Sequence, residues 1–277
     1  MSSTPRGRWL VGISICVAIF SSSFASAAPD SPTPVVGELF SYGSAPSEFG
    51  RLWIPEGGSA RPTVVLLHGG FWRRRGGDLS LMTPLAERFV EEGFAVWNVE
   101  YGRTGESRGG WPDTFEHVRE SLTYVSRLQG QYGMRSSGVV VIGHSAGGHL
   151  ALWASSRADD RRAPIVGVVA LAPIVDLELA AVELLGNGAV VDLLGGSPAQ
   201  VPAIYGQASV LPLSVPALIL TGSADDHVPS RFSGGLLGLA VRTEELAGAS
   251  HLDLIAPHGA AADEIVTFLE RIAPDRE

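Results

Sequence analysis

One stretch of this chain constrains its fold more than any other: an apolar run that ends in a glycine–serine–glycine turn. Residues 139–142 are Val-Val-Val-Ile, and residues 143–147, Gly-His-Ser-Ala-Gly, follow directly. Residues 150–154, Leu-Ala-Leu-Trp-Ala, then have the composition of a helix. The stretch predicts a buried strand, a sharp turn and a helix, with a serine at the turn.

The spacing of the two glycines has a steric reason. In such a strand–turn–helix the serine backbone is strained, and the strand and the helix approach too closely for side chains at the flanking positions. Ala146 begins the helix, and a backbone N–H at a helix N-terminus stabilises developing negative charge. Ser145 is therefore the candidate nucleophile. The rest of the chain is expected to supply a base, an orienting acid and a second oxyanion donor.

The chain contains seven histidines, each a candidate for the base. His251 follows the last predicted strand, and a loop at that place reaches back over the edge of the sheet towards the serine. We therefore predict His251 as the base. His68 and His144 lie within glycine motifs and are assigned to packing or loop hydrogen bonds, and His117 is expected at the surface of a helix.

The acid of a serine–histidine–aspartate triad is expected after the penultimate strand, where Asp225 and Asp226 stand side by side. Asp225 fits a recurring Asp-x-x-Val-Pro turn and is preferred, whereas its neighbour is expected to be solvated. Asp176 follows the preceding strand and is the third candidate, with Asp192 and Asp253 behind it.

Nucleophile, acid and base then follow one another in the order Ser145, Asp225, His251, which is the order of the α/β-hydrolases. The chain resembles that superfamily over nearly all of its length after the N-terminal segment. Within it, the chain resembles the branch of esterases, lipases and kynurenine-formamidase-like enzymes. That branch carries His-Gly-Gly-x-Trp and Gly-His-Ser-Ala-Gly-Gly-His, which stand here at residues 68–72 and 143–149.

The resemblance implies acyl transfer through Ser145, with an oxyanion hole formed by the backbone amides of Gly70, Phe71 and Ala146. It implies no metal and no organic cofactor, and its substrate is a small-molecule ester or amide. Carboxylic esters are the leading expectation and aryl formamides such as N-formyl-kynurenine the alternative. A catalytically silent protein of the same fold is the alternative from another functional class.

Alternating strands and helices predict one α/β domain over residues 37–277, with a mostly parallel sheet, helices on both faces and a small cap insert at 177–212. Strands are predicted at residues 39–42, 49–54, 62–67, 94–99, 139–142, 165–171, 216–220 and 241–245. Helices are predicted at residues 79–92, 113–128 and 260–272.

The N-terminus has the pattern of an export signal. Two arginines precede the apolar residues 9–20, and an Ala-x-Ala site predicts cleavage after Ala27. Twelve apolar residues are too few to span a bilayer, which requires about 20, so no stable membrane anchor is expected. Residues 28–36 are predicted to be a disordered lead-in, and the mature protein is expected to be periplasmic or secreted.

The net charge and the positions of several arginines and tryptophans indicate which kinds of partner the chain binds. The formal net charge of −9 argues against nucleic acid, which requires clustered positive charge. Arg73 and the two arginines after it follow the predicted oxyanion loop, where they attract an acidic substrate or are simply solvated. Trp72 and Trp111 either line an aromatic substrate pocket or belong to the core.

Overall fold

A computed structural model describes Met1 and residues 34–134, 138–157, 163–236, 238 and 240–272. Apart from Met1, the predicted signal peptide (residues 1–27) lies outside the described residues, and so does most of the predicted lead-in. The chain from Ser31 onward forms one compact unit.

Eight strands of the described residues form a single sheet with the order β1-β2-β4-β3-β5-β6-β7-β8. β2 runs antiparallel to both of its neighbours, and all the later pairs are parallel. The strands are β1 (Val35–Ser41), β2 (Phe49–Ile54), β3 (Thr63–Leu67), β4 (Val96–Val99), β5 (Val139–His144), β6 (Ile165–Leu171), β7 (Ala217–Gly222) and β8 (Val241–Leu246).

The core lies at the centre of the sheet. Every residue of β3, β4, β5 and β7 is buried, whereas the edge strand β8 alternates between exposed and half-buried positions. Continuous runs of valine, isoleucine and leucine suit strands that are covered on both faces. The carboxyl ends of the parallel strands meet at one edge of the sheet, where folds of this class place their sites.

The helices agree with the predicted ones, with differences at their ends. The stretch predicted as one helix at 79–92 begins as a 3-10 turn, because Asp78 accepts a hydrogen bond from the Ser80 amide; the α-helix starts next to Pro84. The helices are α1 (Thr83–Glu91), α2 (Asp113–Gln131), α3 (Ala146–Ser155), α4 (Leu177–Val182), α5 (Leu185–Leu194), α6 (Pro202–Ala208) and α7 (Ala260–Ile272). Further 3-10 turns lie at Ser230–Ser233 and Asp253–Ile255. Among the described residues, no helix combines the length and apolarity needed to cross a bilayer.

The predicted lead-in extends too far into the domain. β1 begins at Val35, inside the residues 28–36 that were expected to be disordered, because Val35 pairs with Ile54 and is buried. The pairing shifts register after Val35, where Gly37 adopts a φ of 60°. The proline- and serine-rich composition of the lead-in hides this short strand.

Candidate active site

Ser145 occupies a strained turn between β5 and α3. Its φ and ψ are 55° and −119°, outside the regions that most side chains adopt. Its amide donates to the Leu171 carbonyl at 2.7 Å, and its carbonyl accepts from the His149 amide at 3.1 Å. Hydrogen bonds on both sides of the residue therefore hold the strained backbone in place.

The two flanking glycines are required by direct contact between backbones. A Cβ at Gly143 would lie 2.1 Å from the Gly147 carbonyl oxygen, and a Cβ at Gly147 would lie 2.3 Å from the carbonyl oxygens of Leu67 and His68. No side chain fits at these distances. The steric reason inferred from the sequence is therefore visible in the fold.

Asp225 and His251 form a hydrogen-bonded pair at the same edge of the sheet. Asp225 follows β7, His251 follows β8, and Asp225 Oδ2 lies 2.7 Å from His251 Nδ1. The other carboxylate oxygen, Oδ1, accepts hydrogen bonds from the backbone amides of His227 at 2.9 Å and Val228 at 2.8 Å. The carboxylate can only accept, so the His251 proton is on Nδ1 and its Nε2 has a free lone pair.

The environment of Asp225 favours its ionised form. Burial opposes ionisation, but the hydrogen bonds from His251, Val228 and His227 outweigh it and hold the pKa of the carboxyl below its ordinary value. The His227 ring stacks on the His251 ring, with centroids 5.1 Å apart and planes 8° apart.

The other candidate acids have different partners. The Asp226 carboxylate is exposed and lies 2.8 Å from His227 Nδ1, and Asp176 accepts from the Leu179 amide at the start of α4. Asp192 accepts from the Arg73 guanidinium, and Asp253 accepts from the amide and hydroxyl of Ser250. Of the five candidates, Asp225 is the one that contacts His251.

The His-Gly-Gly loop after β3 runs directly beside the serine. A Cβ at Gly69 would lie 3.1 Å from the Ser145 Cβ. Gly70, Phe71 and Trp72 have φ angles of 118°, 51° and 54°, three consecutive residues in the left-handed region. Residues other than glycine rarely adopt this backbone conformation. Such conformations are concentrated at sites where a loop binds a ligand or takes part in a reaction.

Metal binding has one geometric candidate in the described part of the chain, formed by Asp225, Asp226 and His227, whose ligand atoms lie within 4.8 Å of one another. Both oxygens of Asp225 already accept hydrogen bonds, from His251 and from two backbone amides. The Asp225 carboxylate is therefore engaged in orienting His251, and we assign no metal to this group of residues.

A family model described as BD-FAE matches residues 52–237, more than half of the 277 residues. The chain belongs to the BD-FAE family. This is a family of esterases with the α/β-hydrolase fold. The matched region includes Ser145 and Asp225 and ends before His251.

A curated protein also matches part of the chain. Esterase LipQ of Mycobacterium tuberculosis is 29% identical over 103 residues, which are 37% of this chain and 24% of LipQ. The chain thus spans about a quarter of the length of that curated relative.

Two solved structures resemble the BD-FAE chain. A truncated carbohydrate esterase from gut microbiota has a TM-score of 0.70 at 17% identity, covering 88% of this chain and 98% of that one. An acetyl ester-xyloside bifunctional hydrolase from Caldicellulosiruptor lactoaceticus has a TM-score of 0.63 at 17% identity, covering 86% and 95%. Together with the eight-stranded sheet, these likenesses confirm the predicted α/β-hydrolase fold.

The three residues assigned to substrate binding lie in different environments. Trp72 is 1% exposed and packs edge-on against His149 in the core. Trp111 is half-buried, contacts the Phe115 ring edge-on at 4.9 Å, and lines a surface cavity of 610 Å³. Arg73 forms hydrogen bonds with residues of the cap insert.

The Arg73 guanidinium joins the His-Gly-Gly loop of this BD-FAE protein to α5. It donates to the carbonyls of Gly186 and Asn187 and to Asp192 Oδ2, the last at 2.6 and 3.1 Å. Those carbonyls belong to a left-handed turn, since residues 186–188 have φ angles of 57°, 56° and 78°. The Phe71 ring fills the space in which a Gly186 side chain would lie.

Two buried histidine–glutamate contacts were not predicted from the sequence. His68 Nε2 lies 3.0 Å from Glu100 Oε1, and the His68 ring stacks on Tyr101 at 4.2 Å. His117 was expected at the surface, which is wrong: it is fully buried, with Nε2 3.1 Å from Glu48 Oε1. Burial lowers the pKa of His117. A glutamate directly after an apolar strand, as Glu100 is after β4, was the available signal for the first contact.

Proposed function

We propose that this protein is an exported serine carboxylesterase that cleaves small and medium acyl esters through Ser145, His251 and Asp225. The observation that carries the proposal is the 2.7 Å hydrogen bond from His251 Nδ1 to Asp225, beside the strained serine turn. It fixes the tautomer in which Nε2 accepts a proton, and that is the role of the base in such a triad.

The proposed reaction has two acyl-transfer steps. Ser145 Oγ attacks the ester carbonyl carbon while His251 Nε2 takes the hydroxyl proton, and the carbonyl oxygen becomes an oxyanion. The tetrahedral intermediate collapses, the C–O bond to the alcohol breaks, and Nε2 returns the proton to the leaving oxygen. Water, deprotonated by the same nitrogen, then releases the acid and regenerates the serine.

The backbone amides of Ala146, Gly70 and Phe71 are proposed to stabilise the oxyanion. Ala146 is the first residue of α3, and the other two lie in the left-handed loop beside Ser145. One such donor is typically worth about 3 kcal/mol of transition-state stabilisation. Asp225, kept ionised by its hydrogen bonds, stabilises the imidazolium that forms at each step.

The small size of the cap insert supports small and medium acyl groups as substrates. The insert consists of three short helices and is tied to the oxyanion loop by Arg73 and Phe71. Two structural neighbours are described as a carbohydrate esterase and an acetyl ester-xyloside hydrolase. Acetylated sugars are therefore the natural first class of ester to test. Export, proposed from residues 1–27, fits an extracytoplasmic ester substrate.

The proposal is tested with a substrate panel on the purified mature protein. Acetyl, butyryl and decanoyl p-nitrophenyl esters, acetylated xylose and N-formyl-kynurenine are compared, with Ser145→Ala in parallel. We expect the two shorter esters to be hydrolysed fastest and the alanine variant to be inactive. Formate release as the dominant activity would instead establish the formamidase alternative, and a folded protein inactive on the whole panel would establish the silent binding protein.

The export proposal has a separate test. Expression of the full chain in a bacterium, followed by N-terminal mass analysis of the periplasmic and medium fractions, should give a mature chain that begins at Ala28. A cytoplasmic chain that retains residues 1–27 would contradict export and leave the proposed chemistry untouched.

A further inference from the structure

His144 directly precedes Ser145 and contacts the backbone of the proposed base. Its side chain is 2% exposed, and its Nε2 lies 3.1 Å from the carbonyl oxygen of His251. A carbonyl oxygen can only accept, so Nε2 carries the proton and donates it there. The two rings lie against each other, with centroids 4.4 Å apart.

The opposite side of the His144 ring faces the oxyanion loop. A Cβ on Gly69 would lie 2.8 Å from His144 Nδ1, so glycine at this position leaves room for the ring. Nδ1 is buried and has no hydrogen-bond partner among the described residues. The imidazole thus lies between the loop that bears the proposed oxyanion donors and the loop that bears the base.

His144 has one proton to donate at any pH at which the enzyme is expected to work. Burial, the largest influence, lowers its pKa to about 3. The neutral ring therefore places no second positive charge next to the imidazolium of His251, which would oppose proton uptake by the base.

We propose that His144 is a positioning residue that sets the proposed base, His251, against the nucleophile Ser145. His251 is then held at two points, by Asp225 through its side chain and by His144 through its carbonyl. Because His144 and Ser145 are adjacent, nucleophile and base are fixed to the same piece of backbone. Reacting groups must be held to within about 0.5 Å of the productive geometry, so loss of one anchor reduces turnover more than binding. This inference rests on the proposed serine esterase function.

Three substitutions separate the hydrogen bond from the shape of the ring. Glutamine places an amide N–H at nearly the reach of a histidine Nε2, asparagine is too short to reach the His251 carbonyl, and leucine removes the donor. His144→Gln, His144→Asn and His144→Leu are compared for kcat and KM on p-nitrophenyl acetate, and for the rate of fluorophosphonate labelling. The thermal midpoint of each variant is measured in parallel.

His149 is the matched control. It is also a fully buried histidine, its burial lowers its pKa to about 4, and its Nε2 lies 2.9 Å from a backbone carbonyl, that of Ala208. That carbonyl belongs to the cap helix α6 and not to the loop that bears His251. His149→Asn therefore removes the same kind of hydrogen bond without loosening His251.

We expect His144→Asn and His144→Leu to lower kcat and the labelling rate at least tenfold, with KM changed less than threefold. His144→Gln should recover most of the loss. The kcat and labelling rate of His149→Asn should stay within threefold of the wild type, even if its thermal midpoint falls as far as that of His144→Asn. If leucine prevents folding, the comparison of asparagine with glutamine decides the question.

Equal kcat and labelling rates for the asparagine and glutamine variants would overturn the positioning role, as would a loss in His149→Asn as large as that in His144→Asn. The labelling assay keeps the two proposals apart. A labelled wild type with unaffected His144 variants overturns the positioning role alone. A folded wild type that is never labelled overturns the proposed function and the positioning role together.

Discussion

The proposed catalytic core and the cap turn at residues 186–188 are held by different kinds of contact. The catalytic core, meaning the serine turn (residues 143–148) and the Asp225–His251 pair, is buried and fixed by backbone sterics and hydrogen bonds. The cap turn at residues 186–188 is instead joined to the His-Gly-Gly loop beside that core, by half-exposed polar contacts of Arg73 and by the packing of Phe71. A displaced backbone carbonyl costs far more than a lost surface ion pair.

This difference separates chemistry from specificity. The core is expected to tolerate almost no change, whereas the cap turn at residues 186–188 is expected to adjust at small cost and to tune which substrates enter. Substitutions in the two regions should therefore differ both in size of effect and in the property that changes.

Gly147→Ala is expected to have the largest effect. The new Cβ would lie 2.3 Å from two backbone carbonyl oxygens, so β3 and α3 must separate and the folded protein is lost or strongly destabilised. The measurement is the free energy of unfolding in urea.

Gly206→Ala, in the cap helix α6, is the matched control. A Cβ there has no neighbour within 4 Å, and alanine in a helix is favoured by up to about 1 kcal/mol over glycine. Similar unfolding free energies for the two variants would show that the serine turn is no more constrained than the cap.

Asp225→Asn is expected to come next, with kcat reduced by about 10⁴-fold, because an amide no longer fixes the His251 tautomer. Asp226→Asn, one residue along and exposed, should stay within twofold. Steady-state kinetics on p-nitrophenyl acetate measures both. A larger loss at Asp226 than at Asp225 would reassign the acid.

Arg73→Gln is expected to have a moderate effect. Removing the guanidinium frees the cap turn at residues 186–188, so the ratio of kcat/KM for decanoyl over acetyl esters should change several-fold. Because the contact with Asp192 is half-exposed, the loss of unfolding free energy should be no more than about 1 kcal/mol.

Asp192→Asn and Arg75→Gln complete this experiment. The effects of Arg73→Gln and Asp192→Asn should be non-additive in a double-mutant cycle. Arg75, for which the described residues hold no ion-pair partner, should change nothing when replaced by glutamine. Additive effects would show that Arg73 does not act through Asp192.

The pH dependence of stability is expected to be the smallest effect. The pKa of Asp225 is lowered in the folded chain. The ionised carboxylate therefore contributes fully to the free energy of unfolding above its unfolded-state pKa of about 3.9, and this contribution is lost as the pH falls through the folded-state pKa. The difference in unfolding free energy between wild type and Asp225→Asn should therefore be larger at pH 7 than at pH 3. A difference that grows towards low pH would contradict the sign.

Local sequence was enough to predict the serine turn and the contact between Asp225 and His251, and insufficient for what surrounds them. The serine turn follows from the spacing of Gly143 and Gly147, and the order of strands placed Asp225 and His251 at one edge. The partners of Arg73 lie more than 110 residues away in the chain, at Gly186 and beyond. Helical periodicity also gave no sign that the face of α2 bearing His117 is covered by Glu48.

Burial explains the remaining differences. β1 extends into a segment of unfavourable composition because Val35 gains a partner in Ile54, a contact between strands that composition cannot show. The choice between Asp225 and Asp226 depends on which side chain turns inward, and the amides of His227 and Val228 decide it.

The measurement that tests the account most directly is intact-mass analysis of the mature protein after exposure to a fluorophosphonate, with Ser145→Ala alongside. The proposed triad predicts a single covalent adduct on the wild type, none on the alanine variant, and loss of esterase activity in proportion to labelling. A well-folded wild type that gains no adduct, or an alanine variant that is labelled as fast, would contradict the assignment of Ser145 as an activated nucleophile.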